Sequence, residues 1–358
     1  MVIEQYTLTQ KYNFPQPTTD TALPQRFLEQ SLHSLRQVQH QPLQLNQPFQ
    51  QLNTSEQYLS TLQLKRHPIM LKPNHQETTI AAVDTSTIKI GETSTGMIVA
   101  IRGATTWKQN GAYRFTRLGP FIFHITEENK NQVYNVLEHA YFTLTFDGNH
   151  QSAPNIMQMP TRIASLLERW LQTMLAKTVQ NGIILFDGSL MAGTIDTPIQ
   201  RLKEILSYAR RNGSTVLAFS KATTLRTNGY LITDQLPSHE PPYLLETSGL
   251  HFKPPTTILG DVYVARLNKA SFAFRLDIDK ELPSQERMEA VQRLLGNDLY
   301  TQSYPETLRL SHILCTFTAN EVLAIKHFIT RKHGIQIINR PDMHKLLFGP
   351  FSKGDVYA

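Results

Sequence analysis

The chain has 358 residues, 40% hydrophobic and 18% charged, which excludes a disordered or fibrous polypeptide and suits one elaborated α/β domain or two units. Its single cysteine, Cys315, excludes an internal disulfide and any zinc cluster of several thiolates, and fits a reducing cytoplasm. A net charge of +6 is a mild bias toward polyanions such as nucleic acid, and equally describes an ordinary solvated basic surface.

No apolar run reaches the roughly 20 residues needed to span a bilayer. The opening Met1-Val2-Ile3-Glu4-Gln5-Tyr6 lacks a charged-then-apolar signal. A cytoplasmic protein without a membrane segment is therefore expected. Residues 1 to 70 are rich in Gln. Within them Phe27, Leu28, Leu32, Leu35 and Val38 fall near a helical period, and Tyr58, Leu59 and Leu62 suggest a second short helix. This predicts an N-terminal helical arm and Gln-rich linker ahead of a main domain over 71–358.

From about residue 78 the pattern turns to strands. Ile80 to Ile90, Thr95 to Arg102 and Ala112 to Ile125 are separated by glycines and predict an antiparallel meander. Residues 131 to 146 suit a helix in their first half and a strand in their second. Residues 156 to 178 carry the clearest helical stripe, including Ile163, Leu166, Leu167, Trp170 and Leu171, with Pro160 near the first turn. Ile183-Ile184-Leu185-Phe186 then reads as a buried strand delivering Asp187 to its end. A helix from Pro198 to Arg211, stopped by Asn212-Gly213, leads to a strand over 215–220 that delivers Lys221. This alternation predicts a β-α-β arrangement on a parallel half-sheet.

Residues 222 to 257 read as loop with short helical pieces. Strands resume at Thr257 to Leu267 and Phe272 to Asp277. Helices follow from Ser284 to Leu295, from Pro305, and from Ala319 to His333, and Gly334 to Ile338 reads as a last strand.

A second β-prone run, Thr78 to Val83, ends in Asp84, about a hundred residues before Asp187. Two strand-end aspartates from remote segments suggest a divalent-metal site, because hard cations need oxygen ligands converging from separate elements. Meander, helix, then a strand ending in Asp is the order of a ribonuclease H-like core, in which Glu168 is the acid on the intervening helix. A carboxylate between Leu167 and Trp170 is costly unless a cation or hydrogen bonds satisfy it. Taken singly, Asp187-Gly188 also suits a turn, Asp84 a backbone cap, and Glu168 a surface pair with Arg162 or Arg169. The joint arrangement favours chemistry.

The segments Ile184-Leu185-Phe186-Asp187-Gly188-Ser189-Leu190, Val83-Asp84-Thr85-Ser86, Phe219-Ser220-Lys221 and Tyr304 through His312 together resemble the NurA nucleases. The resemblance spans roughly residues 78 to 315. It implies a ribonuclease H-like fold, a dimer around a central channel, manganese or magnesium as cofactor, and DNA-end resection with a HerA-type hexameric ATPase. Exonucleolytic removal of a 5′ strand and cleavage of single-stranded DNA are implied with it. It adds Tyr304 and His312, eight positions apart, to the acidic triad of Asp84, Glu168 and Asp187. Thr85 stands where the family often has Gly, and Ser311 where Ala is common; neither change removes a ligand.

Two metals would meet the needs of phosphodiester cleavage, with Asp84 and Asp187 flanking them and Glu168 completing the set. His312 suits either a metal ligand or a proton shuttle. Lys221 suits a phosphate contact. Arg102, Arg114, Arg117, Arg162 and Arg169 border the same region and suit a groove for the strand, with Trp107, Tyr113 and Phe115 available for stacking or for the core. Three other readings stay open. One is a different ribonuclease H-like enzyme such as a resolvase or RNA nuclease, and another is an inactive nucleic-acid-binding scaffold. An actin-like ATPase ranks last, for want of a Gly-rich phosphate loop.

Overall fold

Apolar runs bounded by glycines become the long strands of one mixed sheet. The computed structural model describes residues 23–36, 58–65, 67–142, 153–194, 197–227, 230–270 and 272–338. Its strands are β1 (Tyr58–Leu64), β2 (Ile80–Glu92), β3 (Gly96–Gln109), β4 (Ala112–Thr126), β5 (Ile183–Asp187), β6 (Thr215–Ser220), β7 (Tyr243–Phe252), β8 (Gly260–Arg266) and β9 (Phe274–Asp279). Helices are α1 (Leu23–Arg36), α2 (Lys130–Phe142), α3 (Met159–Thr178), α4 (Ile199–Arg211), α5 (Ser284–Asn297), α6 (Glu306–Cys315) and α7 (Ala319–His333).

The sheet order is β1-β7-β8-β9-β6-β5-β2-β3-β4, with the short strand Ile69–Met70 added to β7. β2, β3 and β4 form the antiparallel meander, and β5 and β6 lie parallel beside β2. That is the ribonuclease H-like order, here extended by the antiparallel strands β9, β8, β7 and β1.

Alternation along the central strands builds two cores. Ala81, Val83, Ile184 and Phe186 face α3 and α4 through Leu167, Leu171, Leu202 and Ile205. Ala82, Leu185 and Leu217 face α5 and α6 through Val291, Leu294 and Leu308. Each fully buried Val, Leu, Ile or Phe among them contributes about 1.5–3 kcal/mol. Gly103 of β3 lets α3 approach closely, since a Cβ there would stand 2.8 Å from Leu171 Cδ1. Among the described residues no helix is long and apolar enough to cross a membrane.

Several local expectations give way to pairing. Tyr58, Leu59 and Leu62 lie on a strand, because β1 finds the free edge of β7 at residues 247–252. Short apolar runs are ambiguous in period, and a partner strand decides them. The stretch read as loop after Lys221 contains β7, whose Tyr243, Leu244 and Leu245 are buried. The ambiguous segment 131–146 is helical through Phe142, and its last four residues lie outside the described ones. The final strand reduces to one bridge between Glu92 and Ile338. Helix α1 belongs to the packed structure: Phe27 stacks within 4.6 Å of Phe121 and 4.5 Å of Phe123 on β4.

Candidate metal centre

Parallel pairing of β2 with β5 sets Val83 opposite Phe186, so Asp187, the last residue of β5, lies beside Asp84. Asp84 is the fifth residue of the longer β2 and not the strand end its sequence suggested, because the pairing with β3 carries β2 on to Glu92. The alternation of Asp84 and Asp187 with Val83 and Phe186 puts both carboxylates on the face that α6 covers. Asp84 is buried; its Oδ1 accepts the Thr85 amide at 2.7 Å and its Oδ2 meets His312 Nδ1 at 2.7 Å. Burial raises its pKa, and the charge of Asp187 adds to that rise against the opposing pull of His312 and Lys221. Asp187 is half-buried, and its Oδ2 pairs with Lys221 Nζ at 2.6 Å.

Glu168 reaches this point from α3. Burial pushes its carboxyl up to about 7, Arg169 opposes the shift, and the charges of Asp84 and Asp187 reinforce it. Its Oε1 accepts from Gln172 Nε2 at 2.9 Å, and Gln172 Oε1 accepts from Arg169 at 2.6 Å. Tyr304 is buried against Phe219 and Phe274, with Lys221 Nζ 5.7 Å from its ring centroid. Its hydroxyl makes no hydrogen bond of sound geometry, yet Asp187 and Asp84 lie near enough to strengthen what burial does. Together they hold the phenol protonated well above its ordinary range. His312 has a side chain 53% exposed. Cys315, one helical turn on, is buried.

The sequence-predicted Asp84, Glu168, Asp187, Tyr304, His312 and Lys221 thus converge on one place. Donor atoms of Asp84, His312 and Cys315 all lie within 4.8 Å of one another, tight enough to hold an ion. Asp187 and Glu168 stand outside that tightest group but within electrostatic reach of Asp84.

The arginines divide. Arg102 is buried, donates to Glu321 at 2.8 Å and to the Thr316 carbonyl at 3.1 Å, and stacks on Phe317, which makes it a fastener for α7. Arg117 donates to the same Glu321 at 3.1 Å. Burial alone would raise the Glu321 carboxyl, but Arg102 and Thr318 hold it down at about 2. Arg114 and Arg162 are half-buried, and Arg169 serves Gln172. Among the aromatics Trp107 is buried, Tyr113 donates to Asp298 at 2.7 Å, and Phe115 is 49% exposed.

Three supports escaped the sequence reading. Gln172, fully buried, steadies Glu168. Asp298 accepts the Thr307 amide and hydroxyl at 3.1 and 3.0 Å, gripping the first turn of the helix that carries His312. Asp277 is fully buried, takes two bonds of 2.7 Å from Arg275, and accepts the Leu190 amide at 3.0 Å, pinning the loop that follows Asp187. Only this last left a signal: opposite charges two apart on an apolar strand share a face. Arg275→Ala would leave Asp277 buried and unpaired. It should cost about 3–5 kcal/mol, read as a lower urea midpoint.

Fold and side chains define a ribonuclease H-like α/β protein with a clustered carboxylate site whose donor set suits a divalent cation. No protein-family model matches the chain, and no curated protein does. Among solved structures it is similar to the NurA nuclease from Sulfolobus solfataricus, at 13% identity and TM-score 0.44, covering 74% of this chain and 88% of that one. It is also similar to an endonuclease V from Bacillus subtilis (11%, TM-score 0.33, 74% and 87% covered) and to another NurA structure (9%, 0.38, 73% and 91%).

Proposed function

We propose that this chain is a metal-dependent DNA nuclease of the NurA type, acting on single strands and on the 5′ strand of duplex ends in double-strand break repair. The observation that carries the reading is the meeting of Asp84, Asp187 and Glu168 with Tyr304, His312 and Lys221, in the order the motif resemblance requires. Burial raises the pKa values of Asp84 and Glu168, and the charge of Asp187 adds to both, so the site gains by binding cations.

Bound manganese or magnesium, two ions in this reading, would supply Lewis acidity at the phosphate and an activated water. Asp84, Asp187 and Glu168 offer the oxygen ligands, with His312 as a further candidate. His312 alternatively holds Asp84 through Nδ1 and moves a proton at its other ring nitrogen, since the side chain is half exposed. The Tyr304 hydroxyl stays protonated and can donate to a substrate oxygen. Lys221 is paired with Asp187 here and offers its ammonium to a phosphate when that carboxylate is otherwise engaged. Arg114, Arg117 and Arg162 are proposed to hold the DNA backbone, which makes binding salt-sensitive. A homodimer and a HerA-type ATPase partner complete the proposal on the strength of the motif resemblance, and a cytoplasmic setting on the single cysteine of the sequence.

The test is cleavage of labelled single-stranded DNA in manganese, in magnesium and in chelator, beside Asp84→Ala. Cleavage is expected with either metal and neither in chelator nor with the variant. Equal cleavage in chelator would overturn the mechanism. A preference for an RNA hybrid over a 5′-labelled DNA duplex would move the assignment to another ribonuclease H-like enzyme.

A further inference from the structure

We propose that Asp84, His312 and Cys315 form a mixed oxygen, nitrogen and sulfur site for a thiophilic divalent cation of the zinc class. The regulatory half of this inference, that such an ion withdraws Asp84 and His312 from hydrolysis, rests on the nuclease reading above.

The three donor atoms lie within 4.8 Å of one another, and two of them are already 2.7 Å apart. Residues three apart on a helix share a face, so α6 carries the thiol and the imidazole to the same side. The Cys315 thiol lies in the field of Asp84, Lys221 and Glu168, so it borders the charged cluster; a cysteine serving the core alone would not. The thiol donates to the His312 carbonyl at 3.2 Å, which ties it to the turn that carries the imidazole. Magnesium prefers oxygen donors. A thiolate beside an imidazole and one carboxylate selects zinc or a similar ion at about 2.0–2.3 Å from each donor.

Entry would be from the His312 side, which is exposed whereas the thiol is not. On binding, the S–H bond of Cys315 breaks, its proton passes to solvent, and a metal–sulfur bond forms; no electron is exchanged. The occupied site holds one carboxylate and the imidazole that cleavage needs.

Cobalt(II) is the probe, because thiolate ligation gives it a charge-transfer absorption in the near ultraviolet. Cys315 is the only cysteine of the chain, so any such band reports this residue alone. Full-length protein should show the band on cobalt titration, and Asp84→Asn should weaken it. In Cys315→Ser, with its circular dichroism checked against the parent, zinc affinity by calorimetry should fall about tenfold or more. Zinc should inhibit manganese-supported cleavage, and Cys315→Ser should need about tenfold more of it relative to its own zinc-free rate. No thiolate band in the parent protein at saturating cobalt, or equal zinc affinity in a folded Cys315→Ser, overturns the site. A band in a protein that cleaves nothing in manganese leaves the site standing and removes only the hydrolytic reading.

Discussion

Asp187→Asn is expected to slow single-turnover cleavage of DNA in manganese about a thousandfold or more, while DNA binding stays within a few-fold of the parent. The substitution keeps the shape of the side chain and removes its charge. A cation at this position stabilises transition-state charge by several kcal/mol, and each 1.36 kcal/mol is a factor of about ten in rate. Structural damage should be slight, because Asp187 is half-buried at a strand end and its partner Lys221 is exposed and can return to water. Fluorescence anisotropy would follow binding and circular dichroism the fold. Cleavage within tenfold of the parent, in a variant that still binds DNA, would remove Asp187 from the reaction.

Glu168→Gln is expected to do two opposite things: abolish cleavage, and raise the melting temperature of the metal-free protein at pH 8. Burial, with Asp84 and Asp187 beside it, holds the folded carboxyl at about 7 against an ordinary 4.5. Between those pH values the unfolded chain has released this proton and the folded chain still keeps it. Stability from this group is therefore fully present below about pH 4.5 and lost as pH rises through 7. Gln resembles the protonated acid and escapes that loss. In chelator at pH 8 the variant should be more stable by on the order of 1–3 kcal/mol, a rise of a few degrees. At pH 4 the two should melt together. Adding manganese should raise the melting temperature of the parent more than that of Glu168→Gln, because the variant keeps Asp84 and Asp187 but loses the third carboxylate that gains from the cation. Identical melting at pH 8 in chelator would mean that Glu168 is not held in this environment. The exchange of stability for function is what a site built from mutually repelling carboxylates requires.

The sequence by itself determined the elements whose period is local and strong. The meander, the apolar stripe of α3, the buried strand into Asp187, the helix and strand that follow, and α5 to α7 were all legible, because side-chain alternation and helical spacing are written within ten to twenty residues. So was the position of Asp187 at a strand end, since a polar residue closing an apolar run marks where the strand leaves the core; Asp84 closes a similar run, yet β2 continues to Glu92 because β3 pairs with it beyond that point. Tyr304 and His312 came only from motif resemblance, as nothing in their own spacing says what they face.

Tertiary structure alone decided what depends on remote partners. It turned Tyr58 to Leu64 into a strand by offering the edge of β7, and it spent Arg102 on Glu321. It also brought Cys315 to Asp84 and buried Gln172 beside Glu168. Short runs and single polar side chains carry too little local free energy to choose their own surroundings. Their fate is set by contacts between residues as much as 228 positions apart, as Asp84 and His312 are, which no window along the chain contains.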